Sequence, residues 1–290
     1  MGDLLASSAL WAMHPAFLDA MLKRGTLEAM LPEALRMLAG GLRQEAKQAD
    51  PIRDGATVIM PIQGMIAPKG IISGTGTYSD VFADRLREFG ADPKVGAIVM
   101  PIASPGGLVF GMQEMGDAIF DVRQLKPVVA VAKPFAFSAA YWAGTQASAF
   151  YAEPSAEVGS VGVRSGHTDV SGFEDKIGMK TTLIASSPDK IAGHPYAPLS
   201  DEDRAELQES VDDSNQNFVA AIARGRGMAA ADVPAVHGQG KTFSAQRATQ
   251  NGAIDGVMTL RDVVAKYGSS RSRLALMRRH AAALEAAAVI

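Results

Sequence analysis

The chain has no cysteine among its 290 residues, which removes disulfides, thiolate metal sites and cysteine nucleophiles together. Any nucleophile must then be an oxygen or an amine. It also lacks an excess of charge of either sign: 28 basic and 31 acidic residues leave a net charge of -3, so there is no electrostatic case for nucleic acid as a partner. Nowhere do about eighteen consecutive apolar residues occur, so no membrane-spanning helix is expected. Asp3, His14, Pro15 and Asp19 interrupt the apolar stretches near the start, and no basic segment precedes an unbroken apolar run. The opening therefore does not read as a signal peptide. Long internal repeats and low-complexity linkers are missing too. Together these absences lead to the expectation of a soluble, cytoplasmic protein.

What is present is enough apolar material, 47% of residues against 20% charged, to bury a full core in one large domain or two small ones. Residues 1–50 mix apolar and charged positions at helical spacing (Phe17, Met21 and Leu22, then Leu31, Leu35 and Leu38) and predict a helical N-terminal arm. From Thr57 the texture changes. Strands are predicted over 57–62, 95–100 and 128–132, with helices over 80–89, 108–122 and from Ser138. That alternation argues for βαβ units and a parallel sheet covered on both faces, an α/β fold. Further on, short strands are expected at 149–151, 158–163 and 181–184, and a helical turn at 173–177. Ser200-Asp201-Glu202-Asp203 combines a capping serine with an acidic first turn, opening a long helix to about Arg226. The expected organisation is an arm over 1–50, a central domain over 51–266 and a helical tail over 267–290.

The most informative stretch is Phe137-Ser138-Ala139-Ala140-Tyr141-Trp142, which places a serine between an apolar strand and a small-residue helix start. A hydroxyl there feels the positive end of the helix dipole. Serine is also a favoured N-cap, so position alone does not separate a cap from a nucleophile. A serine hydrolase further needs a base and oxyanion donors. Ser104-Pro105-Gly106-Gly107-Leu108 follows a strand and is read as a strand-to-helix turn, whose backbone N–H groups can face a developing negative charge. For the base there are five histidines and eleven lysines. His167, with Asp169 as its orienting acid, would permit a Ser-His-Asp arrangement. Lys190 lies in a loop after a predicted strand, and a lysine acts as a base only in its neutral form, which desolvation or nearby positive charge favours. The residues alone leave this choice open.

The ordered set Ser104-Pro105-Gly106-Gly107, Ser138-Ala139-Ala140-Tyr141-Trp142, Gly159-Ser160-Val161-Gly162-Val163, and Lys190 with Gly193 resembles the S49 peptidases, which include signal peptide peptidase A and phage head-maturation proteases. The resemblance continues through Arg224-Gly225-Arg226 to Ala253-Ile254-Asp255-Gly256, covering about residues 55–265. It implies a Clp protease/crotonase-like fold of repeated ββα and βαβ units with helical extensions at both ends. It implies a serine endopeptidase with Ser138 as nucleophile and Lys190 as general base, working through an acyl-enzyme with no cofactor and no metal. Gly107 matches the oxyanion donor and Gly106 shapes its turn. His167 and Asp169 fall where phage-type members carry His-x-Asp, as residues supporting the dyad from one layer out. Phe135 and Phe137 flank the nucleophile loop and are candidates for a substrate pocket.

Ser-Ala-Ala-Tyr-Trp in place of Ser-Gly-Gly-Tyr resembles the phage branch, as do Trp11 and Pro15 ahead of a predicted helix. Ala103 departs from the aspartate common before Ser-Pro-Gly-Gly. The resemblance implies a ring-shaped homo-oligomer, with the lysine supplied within or between subunits, acting on scaffold or capsid protein inside a prohead. The alternatives are a bacterial peptidase that degrades signal peptides and a catalytically silent capsid-assembly scaffold.

Overall fold

The computed structural model describes residues 11–13, 48–71 and 76–268. Two long strands, β6 (Ala97–Leu108) and β7 (Val128–Phe137), run parallel through the centre of a mixed, mostly parallel sheet. Their first halves are near-continuous apolar runs because both faces are covered. Ile98, Met100, Ile102, Val128 and Ala130 face the large core, whereas Val99, Val129 and Val131 face a smaller one on the other side. The period-two alternation thus feeds two cores from the same strands.

The remaining strands are assigned to these two. On one edge of β6, β3 (Thr57–Ile59) pairs first and β4 (Ile62–Ala67) pairs further along, with β2 (Ile52–Asp54) outside β3 and β5 (Gly76–Tyr78) outside β4. On the outer edge of β7, β8 (Ala149–Ala152) gives way to β9 (Glu157–Gly159). β10 (Thr242–Ser244) lies outside β9 and β11 (Gly256–Val257) outside β8. The changes from β3 to β4 along β6 and from β8 to β9 along β7 fall at one level. There Ile102 pairs with Ala132 but Ala103 with Phe135, so Lys133 and Pro134 are looped out of the β6–β7 ladder. Proline cannot donate to a ladder, so a bulge is where it is tolerated. The second halves of β6 and β7, beyond this level, carry the residues of interest.

Eight α-helices lie among the described residues: α1 (Ser79–Ala91), α2 (Met112–Leu125), α3 (Ala139–Thr145), α4 (Ser171–Ile177), α5 (Asp201–Arg226), α6 (Val233–His237), α7 (Ala245–Gln250) and α8 (Leu260–Tyr267). α3 is buried along its whole length. Trp142 stacks on Phe218 of α5, with ring centroids 4.8 Å apart. Gly225 allows the end of α5 to approach α3, since a Cβ there would lie 2.3 Å from the Thr145 carbonyl oxygen. Arg123 draws the same elements together by donating to the carbonyls of Gln146, Ala147 and Gly225. Ser200 caps α5 through the Asp203 N–H, as its sequence predicts.

Four expectations are corrected. Gly106 and Gly107 are not a strand-to-helix turn: they lie inside β6, paired from outside by distant segments, and the turn falls at Phe110–Gly111, where Gly111 has φ 78°. Residues 181–184 form no strand, because β-rich composition needs a partner and Ile184 is 96% exposed. The strand expected over 158–163 ends at Gly159, where φ is 118° and Ser160 follows at φ 58°. Within the expected helical arm, Trp11–Met13 is a strand, β1, paired antiparallel to β6. The rest of that arm before residue 48 and the tail beyond residue 268 lie outside the described residues.

Candidate active site

Ser138 stands where β7 ends and α3 begins, and it is 1% exposed. Its backbone has φ 54° and ψ -118°, a region sparsely populated by residues with a side chain, at a cost of order 1–3 kcal/mol. Two backbone bonds hold it there: its N–H donates to the Gly159 carbonyl at 2.7 Å, and its own carbonyl accepts from the Trp142 N–H at 2.9 Å. The hydroxyl does not cap the helix. Among the described residues it reaches only the Gly162 carbonyl oxygen, at 3.5 Å, a loose contact that leaves the oxygen available for other chemistry.

The β6–β7 register pairs Ser104 with Ala136, so the Gly106–Gly107 strand lies alongside the serine corner. Buried Ser104 accepts the Gly106 N–H at 3.1 Å, which commits that amide. Gly107 is packed against β4 so tightly that a Cβ would sit 1.9 Å from the Ile66 carbonyl oxygen. Of the two glycines, Gly106 has its N–H taken up by a side chain of its own motif, whereas Gly107 is paired on both edges of β6, with Ile66 of β4 and Ala12 of β1.

Beyond Ser138, the segment Gly159–Val163 is pinned by backbone bonds from Ser160 N–H to the Lys241 carbonyl and from Gly240 N–H to the Val161 carbonyl, both 2.7 Å. It borders a cavity of about 560 Å³ that also takes Gln208, Asp212 and Asn215 of α5 and Gly238 from the loop after α6. Gly162, with φ 148° and no atom within 4 Å of where a Cβ would stand, leaves this side open next to the serine hydroxyl. Phe135 and Phe137 stack on each other, centroids 5.2 Å apart, on the same face of β7.

Lys190 lies in a 3-10 turn, Pro188–Ile191, and is exposed. Its backbone N–H donates to the Ser187 carbonyl at 3.2 Å, but among the described residues its ammonium forms neither a hydrogen bond nor an ion pair and does not reach Ser138 of the same chain. His167 places its ring between the carbonyls of Gly193 and Ala197, at 3.2 Å from each, and so fastens the loop just beyond Lys190. The Gly193 N–H donates to Asp203 of α5. Asp169 accepts the Ser171 N–H at 2.8 Å at the start of α4, and bonds from Ser171 hold its carboxyl below the usual range. Neither His167 nor Asp169 bonds to Ser138. No cluster of three or more His, Asp or Glu able to hold a metal ion occurs among the described residues.

Sequence reasoning assigned no role to Ser104 or Gly162, although both stand inside quoted motifs. The only signal was their place in those motifs, since one acts through a buried backbone bond and the other through its bare Cα.

Fold and site together define an α/β protein organised around a strained, buried serine at a strand-to-helix corner. Residues 121–272 match the model of peptidase family S49, and the chain belongs to that family. It is 30% identical to the capsid assembly protease C of Escherichia phage lambda over 71% of this chain and 47% of the relative. It is 29% identical to the head-tail preconnector protein GP5 of Enterobacteria phage P21 over 81% of this chain and 46% of the relative. Protease 4 of Salmonella typhi is 30% identical over 64% of this chain and 30% of its own length. The chain thus spans about half the length of the two phage relatives it matches.

Proposed function

We propose that the chain is a serine endopeptidase with a Clp protease/crotonase-like architecture, in which Ser138 is the nucleophile and Lys190 the general base. The observation that carries this reading is the conformation of Ser138, a strained backbone held by two backbone bonds while the hydroxyl is spared from capping. Strain of this kind persists only where the surroundings enforce it, and it clusters at reactive sites. Neutral Lys190 takes the Ser138 proton, the oxygen adds to a peptide carbonyl, and the Gly107 N–H stabilises the oxyanion. The amine leaves with a proton returned from the lysine, and water resolves the acyl-enzyme.

Because Lys190 is exposed in its own chain, we assign its partner serine to a neighbouring copy, in a homo-oligomeric ring. The segment that carries it favours assembly: Phe173, Ile177, Met179 and Ile184 are 60%, 53%, 55% and 96% exposed. Exposed apolar side chains gathered along one segment mark a contact surface. His167 then serves as a positioning residue for the Lys190 loop. Similarity to two phage head proteins supports scaffold or capsid protein as substrate, inside a prohead. No helix among the described residues is long and apolar enough to cross a membrane.

The test is hydrolysis of casein by the wild type beside Ser138→Ala and Lys190→Ala, with assembly measured in each. Activity confined to the wild type, at equal assembly, supports the dyad. Activity retained by Lys190→Ala but not by Ser138→Ala moves the base to His167.

A further inference from the structure

β6 has an edge that β7 leaves open. β7 pairs with β6 as far as Ser104 and Ala136, then turns away at Ser138 into α3. The opposite edge of β6 stays occupied by β4, which pairs with Gly106 and Gly107 through Met65 and Ile66. A further strand at Gly106–Leu108 can therefore lie only on the edge that β7 has vacated. β1 is that strand: Trp11 pairs with Leu108, Ala12 with Gly107 and Met13 with Gly106, antiparallel. Continuing the β6–β7 register by two residues puts Ser138 at the level of Gly106, opposite Met13. The backbone of residues 11–13 thus runs along the glycine strand at the mouth of the serine corner.

We propose that Trp11–Met13 is an internal occupant of the peptide-binding edge of β6, an autoinhibitory strand that an extended polypeptide substrate must displace. This rests on the peptidase reading of Ser138. Binding by addition of a strand to an open edge uses main-chain hydrogen bonds, which any extended polypeptide can supply. An edge strand left bare would invite unspecific pairing, so filling it from within the chain also protects it. Being tethered, β1 competes intramolecularly, at an effective concentration set by the length of chain that joins it to the domain. Substrate then sees only the fraction of molecules whose edge is vacant, and its apparent affinity falls by that fraction.

The experiment uses the full chain carrying Ser138→Ala, so that binding is read without hydrolysis. The probe is a fluorescent peptide with the sequence of residues 9–16, followed by anisotropy. Two variants open the edge: Ala12→Pro, and Trp11→Pro combined with Met13→Pro. Alternate residues of a strand direct their N–H groups to opposite sides, so one of the two must remove a donor facing β6. Deletion of residues 1–13 opens the edge without introducing proline. Tenfold or tighter peptide binding by the deletion and by at least one proline variant, with unchanged thermal unfolding of the domain, is the expected result. Equal affinity in all forms overturns the proposal. The same changes in the Ser138 background separate the two readings. Tighter binding with no hydrolysis by any form refutes the peptidase and keeps the strand, whereas casein hydrolysis with rates and affinities indifferent to residues 11–13 refutes the strand and keeps the peptidase.

Discussion

The Ser138 N–H donates to the Gly159 carbonyl oxygen at 2.7 Å, and this bond ties the serine corner to the start of the Gly159–Val163 segment. It holds Ser138 at φ 54°, where a side chain is disfavoured and glycine is not. Ser138→Ala and Ser138→Gly both remove the hydroxyl, but only the second relieves the backbone. The glycine variant should be more stable than the alanine variant by about 1 kcal/mol, read as a higher urea midpoint at unchanged slope. Both should lose hydrolysis, by at least about a thousandfold, as expected when a nucleophile is removed.

Mixing addresses the assignment of Lys190 to a neighbouring copy. Ser138→Ala and Lys190→Ala should each be inactive alone, yet recover part of the wild-type rate when subunits are exchanged, because mixed assemblies contain sites with both groups intact. Mixed assemblies that form but stay inactive would place the dyad within one chain.

Gly107 tolerates no Cβ, given the Ile66 carbonyl 1.9 Å from where it would stand. Gly107→Ala must push β4 and β6 apart, at a cost of about 1–3 kcal/mol or more. Thermal unfolding should fall accordingly, and activity should fall further than stability does if the Gly107 amide faces the oxyanion.

His237 links stability to pH. It is fully buried, next to the Tyr141 hydroxyl and the Met228 sulfur, and burial, with Arg226 nearby, pushes its pKa down to about 4 from 6.5. The unfolded chain binds the proton more readily, so the neutral ring contributes its full stability above about pH 6.5 and loses it as pH falls toward 4. The loss amounts to roughly 3 kcal/mol when complete. Arg226 and Asp255 stay paired over this range: burial alone would raise the Asp255 carboxyl, but Arg226 and the Phe150 N–H outweigh it and hold it low. His237→Gln should flatten thermal unfolding between pH 4 and 6.5, and an unchanged slope would assign the dependence elsewhere.

Much of the fold was legible because its signals are local. The apolar run at 128–132, the small residues after Ser138 and the Ser200–Asp203 cap each act within a few residues, and each forms the expected element. Gly106 and Gly107 were misread because two adjacent glycines look the same in a turn and in a strand; only pairing with Met65–Ile66 and Ala12–Met13, far along the chain, distinguishes them. The bidentate bond between Arg226 and Asp255 crosses 29 residues for the same reason, and no spacing rule reveals it. Lys190 is a different case. The motif marks its position, but the geometry around one chain leaves it exposed, so the role proposed for it rests on contacts with a neighbouring copy, which no local signal in the sequence encodes.

The most direct measurement is mass spectrometry of the assembled wild type after reaction with a fluorophosphonate, which captures an activated serine oxygen. The account predicts one adduct per chain, located on Ser138, absent from Ser138→Ala and strongly slowed in Lys190→Ala. An adduct on any other serine, or casein hydrolysis by a protein whose Ser138 stays unmodified, would contradict it.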